Sequence, residues 1–516
     1  LPDVPDAVSK MERQILLARA ILSAQKAQSF DQAVSLAQDL GHFLDEVQTE
    51  NLSFDSLAKL VPESFAGHWQ QTLEFLKILT EIWPDILQGR GVIDSAARRN
   101  LLLAAQETVW RRLPPAYPVI AAGSTGTVPA ARALLSLVAR LPQGELVLPG
   151  LDTGLDEDSW AQIGEDHPQY NIKKLLAAVG VERADVAPWP LTHDGVVNHA
   201  RVRLLSEALR PAETTERWRQ LTPHDIPATA LDGLTRIDCD TPQEEADVIA
   251  LILREALETP GKTAALITPD RRLARRVTLS MRRWGIDIDD SGGQPLTELP
   301  VGAWLMLCAE VAEQSLAPIA LLSLLKHPVM AAAIPADDMR RMTYTLDQLA
   351  LRGPRPSAGF AGLRAAIESL SGEKQQEQRR DLLAWLDKIE PLAAPFVSMM
   401  EDAREKPFRL MMETHIKMAE DFAATMDASG ASRLWLGEAG EGASQLLQQL
   451  LAAAGDVPPI APAHYVPLLR MLMKSVTVRP RYGMHPRLSI LGQVEARLYC
   501  ADLVILGGLN EGTWPA

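Results

Sequence analysis

The sequence contains no apolar run long enough to span a bilayer. Its longest such runs, Val301 to Ala309 and Leu316 to Leu325, are closed by Glu310 and by Lys326-His327-Pro328, well short of the ~20 residues that a spanning helix needs. No membrane association is expected. An export signal is missing as well. The chain opens Leu-Pro-Asp-Val-Pro-Asp, without an initiator Met, a basic stretch or an apolar stretch, and the expected setting is cytoplasmic. Cysteine is scarce. Cys239, Cys308 and Cys500 lie far apart with no CxxC spacing, which argues against zinc, an iron-sulfur cluster or a disulfide framework within this segment. Three reduced thiols, with no metal and no cofactor in this segment, are the expectation. A basic excess is also lacking. With a formal net charge of -15, the chain does not coat nucleic acid by charge alone, and any such contact has to be local. No fixed-period repeat or low-complexity tract is evident. The chain stops at Gly-Thr-Trp-Pro-Ala soon after an apolar strand-like run, and a segment of something longer is expected.

What is present is 516 residues at 47% hydrophobic content, enough for roughly three or four packed domains. Residues 1 to about 113 read as helices, with Leu, Ile, Val and Ala at three- and four-residue spacing in Met11 to Ala27 and Ser95 to Arg112. Pro114, Pro115 and Pro118 end that pattern. A strand from Pro118 to Ala122, a helix through Arg140 and a strand from Glu145 to Leu148 then imply a parallel, helix-covered sheet. Residues 150 to 230 read as surface loops between helices. A second α/β unit begins with an expected strand at Thr235 to Cys239, a helix from Pro242 to about Leu257, and a strand at Ala264 to Thr268. Residues 301 to about 475 return to helices, and strand character reappears at Leu488 to Leu491 and Asp502 to Leu506. The helical block therefore reads as inserted within the second unit.

Two catalytic look-alikes fail on context. Gly261-Lys262-Thr263 ends like a phosphate-binding loop, but Ala256 stands where the first Gly belongs and the triplet precedes its strand instead of following it. It reads as a turn. Ala122-Gly123-Ser124-Thr125-Gly126 approaches the nucleophile elbow of serine hydrolases, but Ala122 replaces its first Gly and His193, His199 and His485 have no distinctive setting. A polar loop at the sheet's carboxyl edge is the plainer reading. The best-defined local signal is the helix Asp270 to Trp284, with Thr268 as expected N-cap and Pro269 at its first position. Leu273, Val277, Met281 and Trp284 fall on one side, and Arg271, Arg272, Arg275, Arg276, Arg282 and Arg283 cover the rest. Those arginines read either as a solvated face paired with acidic neighbours or as phosphate contacts. The eleven Trp residues offer base-stacking surfaces in principle, but several, such as Trp385, sit in helical apolar patterns and read as core.

The last stretch, Arg487-Leu488-Ser489-Ile490-Leu491-Gly492-Gln493-Val494-Glu495-Ala496-Arg497-Leu498 and then Ala501 to Pro515, resembles the AddB family, the second subunits of AddAB helicase-nucleases, most closely its alphaproteobacterial branch. Other stretches match in order: Ala122 to Thr127 with Val147 to Asp152, then His167-Pro168-Gln169-Tyr170, then Leu266 to Arg271 with Gly285-Ile286. The likeness covers roughly residue 100 to the end. It implies α/β architecture with large all-α insertions, as two inactivated RecA-like domains of the UvrD-like helicase kind. Residues 1–116 would be the helical insertion of the first domain, 117–234 its remainder, 235–300 the start of the second, 301–475 the second insertion and 476–516 the return strands.

Departures from active helicases point to a lost ATP site, since hydrolysis needs carboxylates at a strand end to hold magnesium and orient water. Here that strand ends Ala121-Ala122-Gly123, and Glu495-Ala496-Arg497-Leu498 stands where active relatives carry Lys-Gly-Leu-Glu. The family's nuclease domain, with its iron-sulfur cluster and Mg, would follow residue 516, so no catalytic site is expected here. The resemblance implies repair of DNA double-strand breaks by homologous recombination, with AddA as partner motor and single-stranded DNA scanned for Chi. Loops at the carboxyl ends of the strands would do the reading, which points to Ser124, Thr125, Thr127, Thr268, Arg271, Gln493, Glu495 and Arg497, with Arg275 in support. A scaffold that docks AddA without binding DNA, and a serine hydrolase at Ser124, are the alternatives.

Overall fold

The computed structural model describes residues 4–54, 75–189, 198–371, 373–479 and 484–514. It is a mixed α/β protein in which helices predominate and the sheets are small and mostly parallel. Two compact units divide it. One is drawn from residues 1–8, 43–66 and 84–241, the other from 9–42, 67–83 and 242–516.

The smaller unit holds β1 (Val119–Ala122) and β2 (Gly144–Val147), paired in parallel with Val119 opposite Gly144. The intervening helix, Pro129–Val138, starts on a proline whose fixed φ suits a first helical turn. Leu137, Val138 and Leu141 form its small core with Trp110, Val119, Ala121 and Leu146. The return to β2 is so tight that a β-carbon on Gly144 would lie 1.8 Å from the Val138 carbonyl oxygen, so only glycine fits.

In the larger unit, β4 (Asp289–Asp290), β7 (Leu488–Leu491), β3 (Ala264–Ile267) and β8 (Leu503–Leu506) form one parallel sheet in that spatial order. Central β3 is uniformly apolar, as a strand covered on both faces should be. Edge strand β8 alternates instead, packing Leu503 and Ile505 inward and leaving Val504 and Leu506 about half exposed. Helices Pro242–Ala256 and Arg271–Arg282 cover one face through Ala246, Ile249, Leu253, Leu273, Val277 and Met281. A short antiparallel ribbon, β5 (Gln294–Pro295) with β6 (Thr477–Val478), marks where the helical block leaves and rejoins. Between them run the helices from Pro300–Glu313 to Pro462–Lys474.

Two expectations fail. Thr235 to Cys239 belongs to no strand: the run is exposed along most of its length, with Ile237 52% accessible, so its apolar residues gain nothing from a ladder. Trp284 is not on the buried face of its helix. The helix ends at Arg282, and Gly285 at φ +68° turns the chain so that Trp284 lies 42% exposed. Trp83, Trp304 and Trp385 are core residues.

Candidate functional site

In a parallel sheet every strand ends on the same edge, and the loops there form the crevice in which α/β folds bind ligands. Four loops meet at that edge of the larger unit. Thr268 N–H donates to the Leu491 carbonyl at 3.0 Å, Gly507 N–H to Ile267 at 3.1 Å and Ser291 N–H to Ile490 at 2.9 Å, so each loop is tied to its neighbouring strand. Gly492 N–H donates to Ser291 Oγ at 3.3 Å, and Gly508 N–H to Glu245 Oε1 at 2.7 Å. Gly508 sits at φ +74°, a conformation glycine adopts without penalty.

Thr268 is fully buried here and is not the N-cap. It is still engaged in the ladder, and its hydroxyl accepts from Asp270 N–H at 3.1 Å. Asp270 takes the cap, with Oδ1 accepting from Arg272 N–H at 2.8 Å and Leu273 N–H at 3.3 Å. Pro269 therefore precedes the cap instead of opening the helix.

The arginine helix is held by carboxylates on its flanks. Arg271 pairs with Asp290 and donates to the Gly293 carbonyl, clamping the β4–β5 turn to the helix start. Arg275 pairs with Glu298, Arg282 with Asp287 and Arg283 with Asp247. Hydrogen bonds from Ser280 and Gln243, helped by the Arg283 charge, hold the Asp247 carboxyl below the usual range. So Arg271 and Arg275 are engaged in structural ion pairs. Gln493, Glu495 and Arg497 are different. They lie on and beside the exposed turn Glu495–Leu498 after β7 and have no side-chain hydrogen bond or ion pair among the described residues. The Glu495 carboxylate folds over Gly492, where a β-carbon would come within 2.6 Å of it.

In the smaller unit, Ser124, Thr125 and Thr127 follow the end of β1. Ser124 Oγ accepts from Gly126 N–H at 3.3 Å, and the Thr125 and Thr127 hydroxyls share a hydrogen bond of 3.0 Å. Arg132 braces the loop by donating to the Gly126 and Thr127 carbonyls. No described histidine hydrogen-bonds Ser124: His199 lies on the helix His199–Ala208, and His485 Nδ1 accepts from Arg487 N–H. His193 is outside the described residues. Ser124 thus serves a turn. The Gly261-Lys262-Thr263 run is also a turn, at the opposite edge of the larger sheet. Gly261 has φ +77°, and Thr263 binds Asp502 through both its N–H and its hydroxyl at 2.8 Å. No three His, Cys, Asp or Glu side chains among the described residues are grouped so as to hold a metal ion.

Sequence comparison gives no assignment. No protein-family model and no curated protein matches this sequence. No described helix is long and apolar enough to cross a membrane.

Two polar clusters escaped the sequence reading, because each joins residues distant in the chain. Buried Arg210 forks onto Glu207 with bonds of 2.8 Å and also reaches Asp156 and Ser159. Burial pushes the Asp156 carboxyl up, but hydrogen bonds from Arg210 and Ser159 outweigh it and hold it well below the usual carboxylate range. In the helical block, buried His415 lies 2.9 Å from the Leu305 carbonyl oxygen and 3.0 Å from the Tyr465 hydroxyl, stacked on Phe396. The only weak sequence signal for it is a histidine inside an apolar helical pattern.

Proposed function

We propose that this chain is the non-motor, helicase-like part of an AddB-type subunit: two inactivated RecA-like domains with helical insertions, holding single-stranded DNA for an AddA motor and scanning it for Chi during double-strand break repair in the cytoplasm. The observation that carries the reading is the convergence at one sheet edge of three loops from two family-like stretches far apart in the chain, one around Thr268 and two around Gly492 and Gly508. Recognition of bases and backbone falls to the unengaged Gln493, Glu495 and Arg497 there, while buried Thr268 and the pair of Arg271 with Asp290 hold the loops beneath them in place. Ser124, Thr125 and Thr127 act at the matching position of the smaller unit. The pairing of Arg271 with Asp290 and Arg275 with Glu298 favours a second reading, a scaffold that docks AddA without holding DNA.

Anisotropy of a labelled single-stranded oligonucleotide, titrated with the chain at two salt concentrations, separates the two. Salt-sensitive binding that Gln493→Ala with Arg497→Ala weakens about thirtyfold or more is the expected result, since lost base or phosphate contacts cost ~1–3 kcal/mol each. No binding at low salt leaves the scaffold reading.

A further inference from the structure

Four of the six arginines on and just after helix Arg271–Arg282 are neutralised by Asp290, Glu298, Asp287 and Asp247. Arg272 and Arg276 are not. Neither makes a side-chain hydrogen bond or ion pair among the described residues, and both lie away from the buried face formed by Leu273, Ala274, Val277 and Met281. Their spacing of four puts the two guanidinium groups on one side of the helix, with their β-carbons about 5–6 Å apart. Leu279, 53% exposed, continues that side, and Arg283 ends it.

This placement works against the helix. Arg272 stands in the first turn, where the helix dipole disfavours a cation. Arg276 is a like charge at the i+4 position, which disfavours it again. In a chain with a formal net charge of -15, carboxylates are plentiful, yet these two cations pair with none among the described residues. Charge held where it costs stability, in a planar fork suited to paired acceptor oxygens, suits a phosphate-bearing ligand.

We infer that Arg272 and Arg276 are a two-point contact for the phosphodiester backbone of single-stranded nucleic acid. The contact lies on the outer face of the helix, beside the sheet-edge loops. This rests on the DNA-holding reading and relocates its phosphate contact from Arg271 and Arg275, which brace the fold.

The test compares the whole chain with an Arg272→Glu, Arg276→Gln variant, using a fluorescein-labelled oligothymidylate across a salt series, and measures melting in parallel. The salt slope of log affinity is expected to fall by about 1.4, the value for two lost single-strand phosphate contacts. The variant is also expected to melt at or above the temperature of the parent, because a carboxylate in place of Arg272 suits the first helical turn. A structural role for the pair predicts a lower melting temperature. Unchanged slope and affinity in a chain that does bind would overturn the inference and leave the DNA-holding reading standing. A parent chain that does not bind would overturn both. Binding of poly-glutamate in place of the oligonucleotide, with the same dependence on the pair, would overturn the inference in favour of an acidic protein partner.

Discussion

Replacing Arg210 with Met is expected to lower the melting temperature of the smaller unit by about 10 °C while leaving that of the larger one nearly unchanged. Arg210 and Glu207 have side chains only 3% exposed, joined at 2.8 Å, and Asp156 and Ser159 complete the arginine's fork. Asp156 also caps the helix Glu157–Ala161, accepting from Ser159 N–H at 3.0 Å, and Ser159 Oγ donates to Thr214 at 2.8 Å. One arginine therefore ties together that helix, the helix His199–Ala208 and the turn Ala212–Gln220. Without Arg210, Glu207 keeps Arg203 at 2.7 Å and Asp156 keeps Arg217 at 3.2 Å, so the carboxylates are left partly compensated and the cost falls at the lower end of the ~3–5 kcal/mol for breaking a buried pair. For a unit of this size that corresponds to a fall in melting temperature of about 10 °C. Calorimetry, with hydrogen exchange to assign the transitions, reads the effect directly. Arg210→Met with Glu207→Leu should recover much of the loss, since replacing both charges by apolar groups is often near neutral. A single variant that melts with the parent would show that the network contributes little.

The second large effect is a loss of stability in mild acid, centred on His415. Its ring is buried among Phe396, Tyr465 and the Leu305 carbonyl, so helices Pro300–Glu313, Phe408–Ala423 and Pro462–Lys474 meet on it. Burial pushes its pKa down to about 4, against a smaller upward pull from the Leu305 carbonyl. In the unfolded chain the same ring titrates near 6.5. Between those values the unfolded state binds the extra proton, so stability is complete above about pH 6.5 and falls as pH drops toward 4. The full span is worth about 3 kcal/mol. Urea midpoints at pH 7.5 and pH 5 should therefore differ more for the parent than for His415→Phe, which keeps the stack on Phe396 but cannot titrate. Equal pH shifts in the two proteins would remove His415 as the cause.

The strands β3, β7 and β8 were legible because each is a short apolar run bounded by turn residues, and the helix Pro242–Ala256 because its period and its opening proline agree. Local sequence places the N-cap of the arginine helix two residues early, at Thr268 instead of Asp270. Thr268 and Asp270 are both good capping types, and only the ladder bond from Thr268 to Leu491 decides between them. Exposed polar loops such as Gln493 to Arg497 were placed correctly after β7, since turn position depends on local sequence. Ion-pair partners were not legible. That Arg271 meets Asp290 while Arg272 has no side-chain partner among the described residues depends on side-chain direction around the helix and on which loop folds beside it. The same holds for Arg210 and Asp156, which the fold brings together across 54 positions.

β3 lies between two strands that are synthesised only after the whole helical block. Thr263, at its start, bonds to Asp502, 239 positions later. As the chain emerges, the fully apolar Ala264–Ile267 segment has to wait for both neighbours, through a period in which the helices from Pro300 to Lys474 can already pack by nearby contacts. The sheet is therefore the late, slow step of assembly and the helical block the early one. An unpaired apolar strand during that interval is what makes newly made chains clump or call on chaperones. Truncations that end before β7 should accordingly yield a folded helical block attached to a sticky, incomplete sheet.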